Sequence, residues 1–214
     1  MHNKELGFIL KRFLPAKQKL SILTQNFGKA EIITNPPDKS FILWPGMLIS
    51  FHASQSIKNM YIANNVEILL SPTENNSCYL HWIHQTLEIC YYFLPLQDPC
   101  EEVFNHLYHC IALPKNECLF NNQISVIKKI YLLKLLLLMG FYPDKNLISL
   151  LSIYEQLTCT SIDIDNKQKV ESIKIALQRV SSLQIKKIDN WVLSCINSHP
   201  CFKNFKTVCI KNKT

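Results

Sequence analysis

The amino-acid sequence predicts an α+β chain, mainly α by residue count, in which a small five-stranded β-barrel precedes an all-helical segment. Three observations carry that prediction. Apolar and polar residues alternate through much of the first part of the chain, as they do in half-buried strands. The run Ser71-Pro72-Thr73-Glu74-Asn75-Asn76 then breaks the pattern, and beyond it the apolar residues recur with helical period. The 214 residues, 48% hydrophobic and 18% charged, supply enough apolar material for a real core. The domains that follow are 1–72 for the barrel and 77–214 for the helices.

Leu6, Phe8 and Leu10 mark the first strand, Leu20 and Ile22 the second, and Ile32 the third. Between the second and third, Asn26-Phe27-Gly28-Lys29 reads as a tight turn, because Gly28 takes the positive φ that a residue with a Cβ resists. Those two strands are therefore expected to be antiparallel neighbours. The loop Asn35-Pro36-Pro37-Asp38-Lys39-Ser40 follows, its paired prolines denying donors to any sheet. Met47, Ile49 and Phe51 then alternate with Leu48, Ser50 and His52 as a fourth strand. After a polar loop from Ser54 to Asn59, Met60 to Ala63, continuing toward Val66 and Leu69, supply a fifth. Five short strands in about seventy residues fit a barrel of the OB type, whose loops and one face commonly hold oligonucleotides.

From Ser77 to Leu94 a stripe of Leu80, Ile83, Leu87, Tyr91 and Leu94 predicts a helix ended by Pro95. Asp98-Pro99 is placed to start a second, with Val103, Leu107, Cys110 and Ile111 facing inward. A third, about Asn122 to Met139, is apolar nearly all round beyond Lys129, which suits the centre of a helical domain. Gly140 caps it. Two more helices are expected, roughly Asn166 to Leu183 and Gln184 to Ser198, before a basic tail with Lys203, Lys206, Lys211 and Lys213.

The charge balance is +7, from 23 Lys and Arg against 16 Asp and Glu, and such a surface concentrates phosphates, anionic lipid or acidic peptides around itself. The candidate contacts are Lys11, Arg12, Lys17, Lys19 and Lys29 on the rim and loops of the barrel. Their plain structural role would be lysines protecting a solvated sheet edge; their functional role would be phosphate contact. Phe13, Phe27 and Tyr61 are candidates for stacking on bases, against the commoner role of aromatic rings in filling or covering a small barrel.

Other chemistries lack their motifs. No nucleophile elbow, phosphate-cradling glycine loop or His-Glu-x-x-His helix occurs, and the chain has only four glycines, so catalysis is not expected. The nine cysteines form no Cys-x-x-Cys pair and read as reduced, mostly buried thiols. His81, His84, Cys90, His106, His109 and Cys110 lack the closing pair of ligands that zinc requires, so no metal and no cofactor is expected. Met1 to Lys11 has no apolar run of signal-peptide length, and Leu135 to Tyr142 is far short of the ~20 residues of a membrane span. A soluble, cytoplasmic protein without membrane partners is the expectation.

Gly7-Phe8-Ile9-Leu10-Lys11-Arg12, then Leu23-Thr24 with Phe27-Gly28-Lys29, resembles the opening of the RecO family of bacterial DNA repair and recombination mediators. Leu43 to Phe51 is similar to that family's Leu-x-Pro strand, and Leu135-Leu136-Leu137-Leu138-Met139-Gly140-Phe141-Tyr142-Pro143-Asp144 to its Leu-Leu-x-x-Leu-Gly-Tyr-x-Pro-Asp helix end. Order and spacing agree over most of the first 145 residues. There are departures. Pro15-Ala16-Lys17-Gln18 replaces a Gly-Glu-Ser-like turn, and Asn35-Pro36-Pro37-Asp38-Lys39 replaces a basic Lys-Gly-x-Arg run. Nothing beyond Asp144 has the spacing of the four-cysteine zinc site found in many members, so the resemblance implies a metal-free form.

The resemblance implies a mediator that holds single- and double-stranded DNA, promotes annealing and assists loading of the recombinase RecA. It implies a RecR-like partner, a place at the nucleoid, and docking of the acidic, apolar-ended tail of single-strand-binding protein on the helices. For that tail the chain offers Lys128 and Lys129 ahead of Tyr131 and Leu132. Two other readings stand beside it: a protein-interaction adaptor on the same scaffold with an eroded DNA face, and a generic oligonucleotide-binding OB protein.

Overall fold

In the computed structural model, residues 4–13, 18–34, 42–55, 60–72, 77–112, 123–159 and 167–207 are described. The strands are β1 (Lys4–Phe13), β2 (Gln18–Thr24), β3 (Gly28–Thr34), β4 (Leu48–Gln55) and β5 (Tyr61–Leu70). They close into a barrel in the order β1-β2-β3-β5-β4, antiparallel at every pairing except β3 with β5. This is the OB-type barrel expected from the alternation. The expected Pro-Pro loop, 35–40, and the tail cations Lys211 and Lys213 lie outside the described residues.

Side chains of alternate residues point to opposite faces of a strand, so Ile9, Leu20, Ile22, Ile32, Ile49 and Phe51 converge inside the barrel. Phe27 and Tyr61 pack against this core with their rings stacked at 4.9 Å, the covering role rather than an open stacking surface. β1 shifts register between Ile9 and Lys11, after which Lys11 pairs with Ser21, Arg12 with Leu20 and Phe13 with Lys19. Past this bulge Lys11 and Phe13 share a face with Lys19, while Arg12 takes the core-facing side that Leu20 occupies.

The hairpin between β2 and β3 turns at Gln25, Asn26 and Phe27, and Gly28, with φ of 72°, is already the first residue of β3. Lys29 therefore belongs to the strand and not to the turn. The backbone of Lys29 also takes up Leu96 in an isolated bridge, and its carbonyl accepts from the Gln97 N–H at 2.9 Å. Because 96–98 lies beside β3, the second helix starts later than the Asp98-Pro99 pattern predicted.

Helix α1 is Ser77–Phe93 and α2 is Glu101–Ala112. α1 buries Tyr79, Trp82, Ile83, Thr86, Leu87, Ile89 and Cys90, a wider stripe than the sequence indicated, with Leu80 and Tyr91 left at its edges. Val103, Leu107, Cys110 and Ile111 of α2 are buried as expected. The Tyr79 hydroxyl meets the carbonyls of Cys110 and Ile111 at 3.2 and 3.1 Å, satisfying acceptors that a helix end leaves unpaired. Phe8 of β1 reaches Phe104 of α2 at 4.9 Å between ring centroids. The chain divides into two compact units: Met1–Ile111 with Phe205–Thr214, and Ala112–Asn204. The change from strand to helix falls between Leu70 and Ser77, and α1 and α2 belong with the barrel.

The second unit contains α3 (Ile124–Leu138), α4 (Lys145–Ile148), α5 (Leu151–Cys159), α6 (Lys167–Gln178), α7 (Ser182–Ser198) and a 3₁₀ turn at Phe202–Asn204. α3 is its central element and packs on α5 and α7, which is why it is apolar on several sides. Gly140 follows it with φ of 87°, the left-handed stop the sequence indicated. α4 and α5 were not foreseen. The expected boundary between the last two helices also moves: the Ser181 hydroxyl accepts from the Gln184 N–H, and the Gln184 side chain accepts from the Ser181 N–H. This capping box starts α7 at Ser182, two residues before the expected Gln184, and α6 ends at Gln178 instead of Leu183.

Candidate nucleic-acid interface

The second half of β1 and the first half of β2 run antiparallel at one end of the barrel, and their pairing places the expected cations Lys11 and Lys19 on one face and Arg12 on the other. The Lys11 ammonium lies 4.2 Å from the centroid of the Tyr91 ring, 5.3 Å from Phe13 and 5.9 Å from Tyr92. Lys19 Nζ is 5.2 Å from the Phe13 ring and 2.6 Å from Glu31 Oε2 across the β2–β3 ladder. Cations over aromatic faces are held by the ring quadrupole, so both lysines are oriented by the rings beside them. One face of the sheet thus offers cations interleaved with rings from β1 and from the end of α1.

Arg12 emerges on the other side. Its guanidinium carbon is 5.4 Å from the centroid of Trp44, an indole 54% exposed. The Trp44 backbone is fixed from several directions. Its carbonyl accepts from the Met47 N–H at 3.2 Å, closing a turn with Pro45 and with Gly46 at φ of 91°, the type II pattern. Gly46 N donates to the Ile9 carbonyl at 2.8 Å, and Ile9 N donates to the Met47 carbonyl at 2.9 Å, pinning that turn to β1.

Lys29 is placed differently from the other cations. It is 9% exposed, and its ammonium donates to the Tyr91 carbonyl at 2.8 Å. α1 has no basic residue in its last turn, so Lys29 of β3 supplies the cation that the negative end of the helix favours. Burial pulls its pKa below the ordinary lysine value, against a smaller upward pull from Cys90 and Glu31. Its position makes it a helix cap that also fixes Tyr91 beneath Lys11. Lys17, the fifth candidate, lies outside the described residues.

In the second unit, Lys128, Lys129 and Tyr131 fall on α3 without forming an open surface together. Lys129 is ion-paired with Asp189 of α7, and Tyr131 is 3% exposed, packed edge-on against Tyr154 at 4.9 Å. Lys128 is half-buried. Among the histidines and cysteines considered as ligands, the buried pair His106 and Cys110 approaches to 3.5 Å on one face of α2. Among the described residues no group of three or more His, Cys, Asp or Glu side chains is gathered to hold a metal. No helix among them is long and apolar enough to cross a membrane.

Sequence reasoning missed Trp44, Tyr91 and Tyr92 as parts of this site. Tyr91 could be read only as one residue of a helical stripe. Trp44 sits in a turn where periodicity has no bearing; the one available signal was an aromatic residue directly before a Pro-Gly turn. No protein-family model matches the chain, and no curated protein matches its sequence.

Proposed function

We propose that the chain is a nucleic-acid-binding protein that acts by holding DNA on the barrel, in the manner of a RecO-like recombination mediator, and performs no chemistry of its own. The observation that carries this reading is the joint placement of Lys11, Arg12 and Lys19 among Phe13, Tyr91 and Trp44 at one end of an OB-type barrel. Ammonium and guanidinium groups meet backbone phosphates, and rings beside them meet bases, which is the pairing a groove for nucleic acid uses. The binding term is release of the counterions that the phosphates had condensed.

The mediator part, with annealing, RecA loading, a RecR-like partner and the tail of single-strand-binding protein, rests on the resemblance of the motifs. Tyr131 and Lys129 are engaged within their own unit, so tail docking draws no support from those two side chains.

A second reading, the adaptor with an eroded DNA face, is favoured by two specific observations. Lys29 is turned inward to a helix end, and Lys19 is partly neutralised by Glu31. Titrating a labelled single strand at several salt concentrations separates the two. A DNA-holding protein loses affinity steeply and linearly on logarithmic axes as salt rises; an adaptor shows weak binding and no such slope.

A further inference from the structure

The proposed interface has two sides, and Trp44 has features the phosphate reading alone does not use. The indole is carried by a turn that is hydrogen-bonded to β1 through Gly46 and Met47, both on the C-terminal side of Trp44. Leu43, immediately before it, is fully buried in the barrel core. The backbone is therefore ordered before any ligand arrives, so holding a ring here has little further entropic cost. The positive charge beside the indole is Arg12, and the neighbouring cations Lys11 and Lys19 lie on the same two paired strands.

Resting on the function proposed above, we propose that Trp44 is the base-stacking residue of this site and that it makes the barrel select single-stranded over double-stranded nucleic acid. An indole offers its free face only to a ring that is itself unstacked. A base inside a duplex is sandwiched by its neighbours and cannot reach it, whereas a base of a single strand can. Phosphate contacts from Lys11, Arg12 and Lys19 are common to both forms, so the difference between them lies in Trp44. A protein ligand for the same indole is the competing occupant; the local excess of cations favours the polyanion.

Of the three tryptophans Trp44 is the exposed one, Trp82 being buried and Trp191 half-buried, and the part of the emission quenched by a stacked base is assigned to Trp44 by its loss in Trp44→Leu. The full chain is titrated with a thymidine oligomer, with an abasic oligomer of the same length and with a duplex, following anisotropy of the labelled strand and tryptophan emission together. The expected results are quenching by the thymidine oligomer alone and about tenfold tighter binding of it than of the abasic strand, an ordinary yield for one base on an aromatic ring. Trp44→Leu then binds both oligomers equally and loses far more affinity for the thymidine oligomer than for the duplex, while Trp44→Phe, which keeps a ring, retains most of the preference. Binding of the oligomer with unaltered emission and no loss in Trp44→Leu would overturn the stacking role and leave phosphate binding standing, pointing the indole to a protein partner. Absence of binding to any of the three would overturn the stacking role together with the function on which it rests.

Discussion

The Lys29 ammonium donates to the Tyr91 carbonyl at 2.8 Å, so a strand of the barrel caps the helix that covers it. Replacing Lys29 by Met keeps most of the apolar length and removes the bond. The expected loss is about 1 to 2 kcal/mol of stability, the range for hydrogen bonds to charged groups, read by urea denaturation. DNA affinity should change far less than on replacing Lys11 or Arg12. A large fall in the salt dependence of DNA binding in Lys29→Met would show that this lysine contacts phosphate after all.

The same residue sets a direction with pH. Burial lowers the folded pKa of Lys29 below its ordinary 10.5, so in the interval just below 10.5 the unfolded chain binds more protons than the folded one. Stability contributed at this site therefore rises with pH across that interval. The difference between the native chain and Lys29→Met, measured by denaturation at increasing pH, should widen as 10.5 is approached. A difference that shrinks would mean that the bond to Tyr91 dominates over burial.

Gly28 and Gly140 both have positive φ, but only one is packed. A Cβ on Gly28 would lie 2.1 Å from the Asp98 carbonyl oxygen, whereas one on Gly140 has nothing within 4 Å. Gly140→Ala should cost about 1 kcal/mol, the backbone term alone. Gly28→Ala adds a clash with main chain that cannot swing away, and should cost at least about 3 kcal/mol or prevent folding. Equal losses in thermal denaturation would contradict the close approach of 96–98 to β3.

Thiol labelling tests the packing of both units. Cys78 is exposed, whereas Cys90, Cys110 and Cys195 are buried, and burial pushes the Cys195 thiol up to about 11 and those of Cys90 and Cys110 upward as well. Brief alkylation at neutral pH followed by peptide mass spectrometry should modify Cys78 well before these three, since the thiolate is the nucleophile. Early modification of Cys110 would show that α1 and α2 separate readily.

The barrel was legible from strand period and the turn glycine, and Leu20, Ile22, Ile32, Ile49 and Phe51 meet in the core; in β1, read from Leu6, Phe8 and Leu10, it is Ile9 that enters the core, while Phe8 faces Phe104 of α2. The late start of α2 was not legible, since Asp98-Pro99 is a sound local start signal whose backbone the barrel claims through Leu96 and Gln97. α4 is a single turn too short for any period to register, and α7 begins at a capping box that the continuous apolar pattern of 166–183 masked. Of the candidate cations, Lys11, Arg12 and Lys19 could be grouped from strand pairing. The inward turn of Lys29 depends on the C-terminal end of α1, sixty-two residues away, which no local pattern encodes.

The central claim is that cations at this end of the barrel hold phosphates, and the salt dependence of single-strand binding measures it most directly. Three contacts from Lys11, Arg12 and Lys19 predict a slope of log affinity against log salt near −2, at about 0.7 per contact on a single strand. Changing all three to Glu should weaken binding regardless of base sequence and flatten the slope by about 2. Unchanged affinity and slope in that variant, with its fold intact by circular dichroism, would contradict the claim.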